Sequence, residues 1–469
     1  MTVPYWAPDA IFYQIFPDRF ANGDTSLDPY NVQPWGSPPT IRGFQGGDLR
    51  GVIQKFDYLL DLGINAIYFN PIFLATSNHR YNTTDYLQID TKLGNLSDFK
   101  ALLNLSHRNN VRVILDGVFN HCGRGFYAFS DILENQAESP YRDWFTIKHW
   151  PVNPFTPDDQ FSAEEADYVG WWNYKSLPKF NTNNRAVREY LFHVGRYWIE
   201  QGADGWRLDV PNEIDSDAFW AEFRKQVLAA NSEALLIGEI WEVSPRWANN
   251  EHFDGLMNYP LREALLGFLQ GKISAVSFND RIQQLLTVYP RENVYAMYNL
   301  LGSHDTERIL TVLKGDLNRY RLATLFQFAF PGMPAVYYGD EIGLTGGKDP
   351  ESRKAFPWDE SSWNLEIHAW IQKLIGLRTR LPVLRRGEYI SVMIEDGRSC
   401  YGFARKLGDS VVLVLMNNST TRRGVRVPIA KLGWQDGRIV HNMLGEGEFI
   451  VDGDTLSLNI PPLSGMYLS

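Results

Sequence analysis

Seven residues of this chain belong to types that move protons, attack carbon or hold anions, and each closes or follows a short apolar run. They fall in four segments: VILDGVFNH (Val113 to His121), ADGWRLDV (Ala203 to Val210), LLIGEIWE (Leu235 to Glu242) and NLLGSHDT (Asn299 to Thr306). The residues are Asp116, His121, Arg207, Asp209, Glu239, His304 and Asp305. Two carboxyl groups facing one another can divide the work of a bond cleavage, one attacking as a nucleophile and the other handling the proton. Arg207 precedes Asp209 by two residues, so both point to one side of an extended strand. Its guanidinium is expected to hold the Asp209 carboxyl below the usual range. On their own, Arg207 and Asp209 also read as a strand-end ion pair, Glu239 as a partner for a surface lysine, and the histidines as structural residues.

Such residues must be gathered by elements that end at one place. Apolar strands read over Ala10 to Gln14, Ala66 to Phe69, Val111 to Leu115, Gly205 to Leu208, Leu235 to Gly238, Gly255 to Met257, Ala296 to Leu300 and Ala335 to Tyr338. Between them run amphipathic patterns with apolar residues three and four apart, several closed by Gly or Asn. Eight strand–helix units predict an α/β fold, a (β/α)8 TIM barrel, whose strand C-termini share one face. The segment 120–175 breaks this rhythm and is rich in aromatics and Pro; it is too long for a simple connection and predicts an inserted domain B after the third strand. Past residue 384 the pattern alternates in the strand manner, predicting an antiparallel β-sandwich, domain C. The expected division is barrel 1–119 and 176–383, insert 120–175 and sandwich 384–469.

Composition narrows the function classes. A net charge of −10 argues against a general affinity for nucleic acid. No apolar run is long enough to span a membrane. The first residues lack the pattern of a secretory leader, so a cytoplasmic location is expected. Cys122 and Cys400 lie far apart and are expected to be free buried thiols. Aromatic residues make up 14% of the chain, which suits either a large core or a site that packs sugar C–H faces on rings.

The four segments, in this order, resemble the short signature regions of glycoside hydrolase family 13, the α-amylase family. LPKFN (Leu177 to Asn181), FPDRFANGD (Phe16 to Asp24) and YYGDEIGLTGGKDPESRKAFPW (Tyr337 to Trp358) are similar to its neopullulanase, cyclomaltodextrinase and maltogenic amylase branch. The resemblance covers nearly the whole chain. It implies a retaining α-glucan hydrolase with Asp209 as nucleophile, Glu239 as acid/base and Asp305 as the third carboxylate that steadies the distorted sugar. It implies sugar contacts from Tyr81, His121, Arg207, His304, Asp349 and Arg353, with Trp241 on the acceptor side. Phe126, Trp171 and Trp172 are further candidates for subsite walls. Asn82 stands where Asp is more usual. Related enzymes bind Ca2+ in a loop matching Asn22, Asp24, Asp28, the Gly46 carbonyl and Asp48; oxygen ligands at short spacing suit that ion, and an Asx-rich turn is the plainer reading. Leu27 falls where another Asn ligand is common. Members of the branch usually carry a preceding β-domain that helps form a dimer. The barrel here begins near Ala10, which leaves homodimer formation and substrate size open. The expected substrates are cyclodextrins, maltooligosaccharides, starch or pullulan. Cleavage of α-1,6 bonds and glucosyl transfer are the alternatives, ahead of a non-catalytic binding subunit.

Overall fold

A computed structural model describes residues 3–155 and 166–469. Eight short parallel strands form one sheet: β1 (Phe12–Ile15), β2 (Ala66–Phe69), β3 (Arg112–Gly117), β4 (Gly205–Leu208), β5 (Leu235–Gly238), β6 (Gly255–Leu256), β7 (Tyr298–Leu300) and β8 (Met333–Tyr337). They pair in chain order from β1 to β6, and β8 pairs with both β1 and β7. A parallel bridge from Met257 to Tyr298 closes the ring, and the Asn258 N–H donates to the Tyr298 carbonyl at 2.8 Å. This is the expected barrel. Its strand ends differ from the sequence reading by a few residues: β3 continues to Gly117, so Asp116 lies within the strand. Strands buried on both faces read as unbroken apolar runs, and such runs do not mark their own ends.

Alternate residues fill two cores. Phe12, Tyr68, Ile114, Ile237, Met257 and Leu300 pack inside the ring. Their strand neighbours, such as Tyr13, Ile67, Val113 and Leu236, face the outer helices. The helix Arg185–Glu200 shows why these segments are helical. Val187, Leu191, Val194 and Trp198 recur on its buried face, and the Asn184 side chain caps it by accepting from the Ala186 and Val187 N–H groups.

Between β3 and β4 the chain forms a helix, Tyr127–Asn135, and isolated bridges that pair Ile147 with Tyr168, Gly170 with Pro178 and His121 with Lys179. Phe126 is fully buried there against Tyr86, Phe180 and Tyr190. It is a core residue, which corrects its reading as a subsite wall. The last residues form two four-stranded antiparallel sheets around a core of their own. Buried Arg405 joins them to the barrel by donating to the carbonyl of Ala329, the last residue of the helix Leu317–Ala329. Cys122 and Cys400 are buried and are not joined in a disulfide. Among the described residues, no helix is long and apolar enough to cross a membrane.

Candidate functional site

The barrel ladder runs past the strand ends and fixes the site there. The Asp209 N–H donates to the Gly117 carbonyl at 3.0 Å and the Glu239 N–H to the Leu208 carbonyl at 2.9 Å. Arg207, buried inside the ring, reaches three carboxyls. Its Nη1 lies 2.9 Å from Asp116 Oδ1 and 3.1 Å from Asp209 Oδ1, and its Nη2 lies 3.0 Å from Glu239 Oε2. Val210 follows at φ +34°, an outlier for a β-branched residue. That turn aims its N–H at Glu239 Oε2, 3.1 Å away. On the solvent side the Trp241 indole N–H donates to Glu239 Oε1 at 3.2 Å. The half-exposed Trp241 ring lies flat on Tyr259, with centroids 3.7 Å apart.

Asp305 completes the carboxyl group. His304 Nε2 stands 3.1 Å from its Oδ2 and Arg353 Nη2 3.4 Å from its Oδ1. Arg353 also donates from Nε to the His304 carbonyl at 2.9 Å and pairs with Asp349 at 3.3 Å. His304 Nδ1 faces the side-chain amide nitrogens of Gln14 and Asn70 at 3.0 and 3.1 Å. Two N–H donors make Nδ1 an acceptor and place the ring proton on Nε2. Burial pushes the His304 imidazolium well below its usual range, with Arg353 and Arg207 adding to the effect. The Tyr81 hydroxyl accepts from that Nε2 at 2.6 Å and donates to Asp116 Oδ2 at 2.8 Å. His121 is buried beneath Trp171, their rings nearly parallel at 5.2 Å, and burial lowers it to about 3.

One electrostatic expectation is reversed. Asp209 is pushed well above the ordinary carboxylate range, first by burial and then by the Glu239 charge, which together outweigh Arg207. The guanidinium is divided among three carboxyls, so none receives its full effect. Asp305 is raised to about 7, by burial and then by Glu239, against the opposing pull of Arg353 and Arg207. Protons on such a cluster belong to the group rather than to one residue.

The structure thus brings together Asp209, Glu239, Asp305, Tyr81, Arg207, His304, Asp349, Arg353 and Trp241. The sequence reading missed Gln14, Asn70 and Tyr259, and Asp116 is a hub that accepts from Arg207, Tyr68 and Tyr81. Gln14 and Asn70 had a signal: each is a polar residue at the end of an apolar strand.

The loop expected to hold calcium fits that ion in part. Asn22 Oδ1 is buried without a partner, and Asn22 Nδ2 lies 2.8 Å from Asp28 Oδ1. Gly46 packs against both at φ +86°, where an added Cβ would sit 2.3 Å from Asp28 Oδ1. These three surround one small space. Asp24 instead turns to Ser26 and to the Arg50 guanidinium. Asp48 accepts from the Gly23, Asp24 and Gly51 N–H groups. Among the described residues no three His, Cys, Asp or Glu side chains stand together as a metal cluster.

The alpha amylase catalytic domain model matches residues 14–379. A cyclomaltodextrinase of Geobacillus thermopakistaniensis (strain MAS1) is 42% identical over 98% of this chain and 76% of its own length. Neopullulanase 2 of Thermoactinomyces vulgaris is 41% identical over 100% and 78%. Among solved structures, a cyclic α-maltosyl-(1→6)-maltose hydrolase from Arthrobacter globiformis superposes with a TM-score of 0.89 at 38% identity, covering 100% of both chains. The barrel and these matches agree: the chain is a glycoside hydrolase and belongs to the α-amylase family.

Proposed function

We propose that the protein cleaves α-1,4-glucosidic bonds of cyclodextrins, maltooligosaccharides, starch or pullulan with retention of configuration, and transfers part of the product to sugar acceptors. The observation that carries this reading is the single Arg207 guanidinium in contact with both Asp209 and Glu239. A retaining pair must stand close, at roughly 5–5.5 Å, and a shared cation favours that spacing. Asp209 attacks the anomeric carbon while Glu239 gives its proton to the leaving oxygen. Glu239 then takes a proton from water or a sugar hydroxyl, which displaces Asp209. Asp305, His304, His121, Arg353 and Asp349 hold the sugar at the cleavage point, Tyr81 packs on its face, and Trp241 lines the acceptor side.

The anomer released first from a maltooligosaccharide tests the mechanism: α is expected, and β would exclude retention. Asp209→Asn is expected to lose at least about a thousandfold in turnover. A second reading, cleavage of α-1,6 bonds or α-glucosyl transfer, is favoured by the structural neighbour from Arthrobacter globiformis, a cyclic α-maltosyl-(1→6)-maltose hydrolase. A product profile on pullulan separates the two. The co-occurrence of Asp209, Glu239 and Asp305 argues against a non-catalytic binding subunit.

Calcium is proposed as a structural ion held by Asn22, Asp28 and the Gly46 carbonyl, joined by Asp48 and by Asp24 in competition with Arg50. It would brace the loop and take no part in bond cleavage. A cytoplasmic location suits two cysteines that form no disulfide. Homodimer formation is left to sedimentation measurements.

A further inference from the structure

Trp172 is 72% exposed, an unusual setting for the largest apolar side chain. Its backbone lies at φ +49° and ψ +28°, and Asn173 follows at φ +62°. Left-handed geometry is disfavoured for a bulky residue. The loop is nonetheless tightly pinned. The Trp171 N–H donates to the Leu177 carbonyl at 2.9 Å, the Tyr174 N–H to Trp171 at 2.9 Å and the Leu177 N–H to Tyr174 at 3.1 Å. The Tyr168 hydroxyl donates to the Lys175 carbonyl. A fixed turn therefore holds a large ring out in water.

That ring is continuous with the site. Trp172 stacks on Trp171 at 4.9 Å and 16°, and Trp171 stacks on His121 at 5.2 Å and 16°. The Trp171 indole N–H is buried with no hydrogen-bond partner. Three parallel rings thus step outward from the strand-end cluster, and an unsatisfied donor lies along them. Apolar C–H faces of glucosyl units pack on such rings, and their hydroxyls accept from such donors.

We propose that Trp172, carried on Trp171, is a stacking platform for a glucosyl unit of an α-glucan remote from the bond being cut, so that it favours longer chains over short ones. This inference rests on the α-glucan hydrolase reading of the site above. Catalytic chemistry stays with the carboxyl cluster; Trp172 acts on chain-length preference alone.

The test is the ratio of kcat/KM for maltohexaose to that for 4-nitrophenyl α-maltoside. Trp172→Gly removes the ring at a position where glycine suits the backbone, so folding is protected. The ratio is expected to fall roughly 3- to 10-fold, mainly through KM for maltohexaose. Trp172→Tyr, which keeps a ring, is expected to restore most of it. Leu365→Ala, at an exposed apolar residue elsewhere, should leave the ratio at the wild-type value. An unchanged ratio in Trp172→Gly overturns the platform. Should Trp172→Gly instead shift the sedimentation coefficient with no change in the ratio, the ring serves contact between copies and the proposal is wrong. A wild-type chain inactive on every α-glucan would remove the functional reading itself, a separate result.

Discussion

Arg207 and Asp209 form a buried ion pair, Nη1 to Oδ1 at 3.1 Å, in which the arginine serves two other carboxyls at once. A planar fork can do this and an ammonium cannot.

Arg207→Lys is therefore expected to behave as a loss rather than a conservative change. A lysine reaches one carboxyl and leaves the others buried without a counter-charge, a condition that costs about 3–5 kcal/mol when a buried partner is removed. The expected outcome is a kcat/KM lower by about a thousandfold together with a clear drop in melting temperature. Steady-state kinetics and a thermal melt check both, and activity within tenfold of wild type would show that Arg207 is dispensable.

The raised Asp305 carboxyl makes a prediction about pH and stability. Its folded-state value of about 7 lies above the value near 4 of an unfolded chain. The folded protein thus holds this proton more tightly than the unfolded one, and the associated stability declines as pH rises from about 4 through about 7. Asp305→Asn removes this residue's share of the cluster's titration. Its melting temperature relative to wild type should climb across that interval and level off above it. A difference that is flat or falls over the same interval would contradict the cause assigned to the shift.

These relationships also show what could be read from residues alone. Each barrel strand was legible because an apolar run ended in Gly or a polar residue, and the carboxyls at those ends could be named. Distances between strands could not. Arg207 was placed correctly beside Asp209 and does pull that carboxyl down, yet the net shift is upward, because burial and the charge of Glu239, distant in sequence, outweigh it. Phe126 looked like a wall residue since aromatics crowd its neighbourhood; only packing against Tyr86 and Tyr190 reveals it as core. Gln14 and Asn70 were passed over although they fix the tautomer of His304, since a lone amide at a strand end has many structural uses.

The proposed calcium site predicts competition. Arg50 pairs with both Asp24 and Asp98, so it already neutralises part of the loop. Calcium in hundredfold excess over its dissociation constant is expected to raise the melting temperature by roughly 2–4 °C, and a chelator to reverse the change. Arg50→Gln should enlarge the calcium response by freeing Asp24. If calcium leaves the melt unchanged in both proteins, Arg50 alone supplies the positive charge of this loop and the ion has no place there.

Trp241 makes two separable contacts, and two substitutions distinguish them. Its indole N–H bonds Glu239 Oε1 at 3.2 Å, and its ring covers Tyr259 at 3.7 Å. Trp241→Phe deletes the N–H and keeps the flat contact. Its kcat/KM is expected to fall roughly 3- to 10-fold, because the carboxyl loses a donor that orients it. Trp241→Ala removes the ring as well and uncovers Tyr259. It should show the same fall in kcat/KM and in addition a lower ratio of transfer to hydrolysis, because an acceptor sugar loses the surface on which it packs. Product analysis at high maltose concentration reads that ratio. If both variants lower it equally, the N–H rather than the ring face governs acceptor choice, and Trp241 works through Glu239 instead of through stacking.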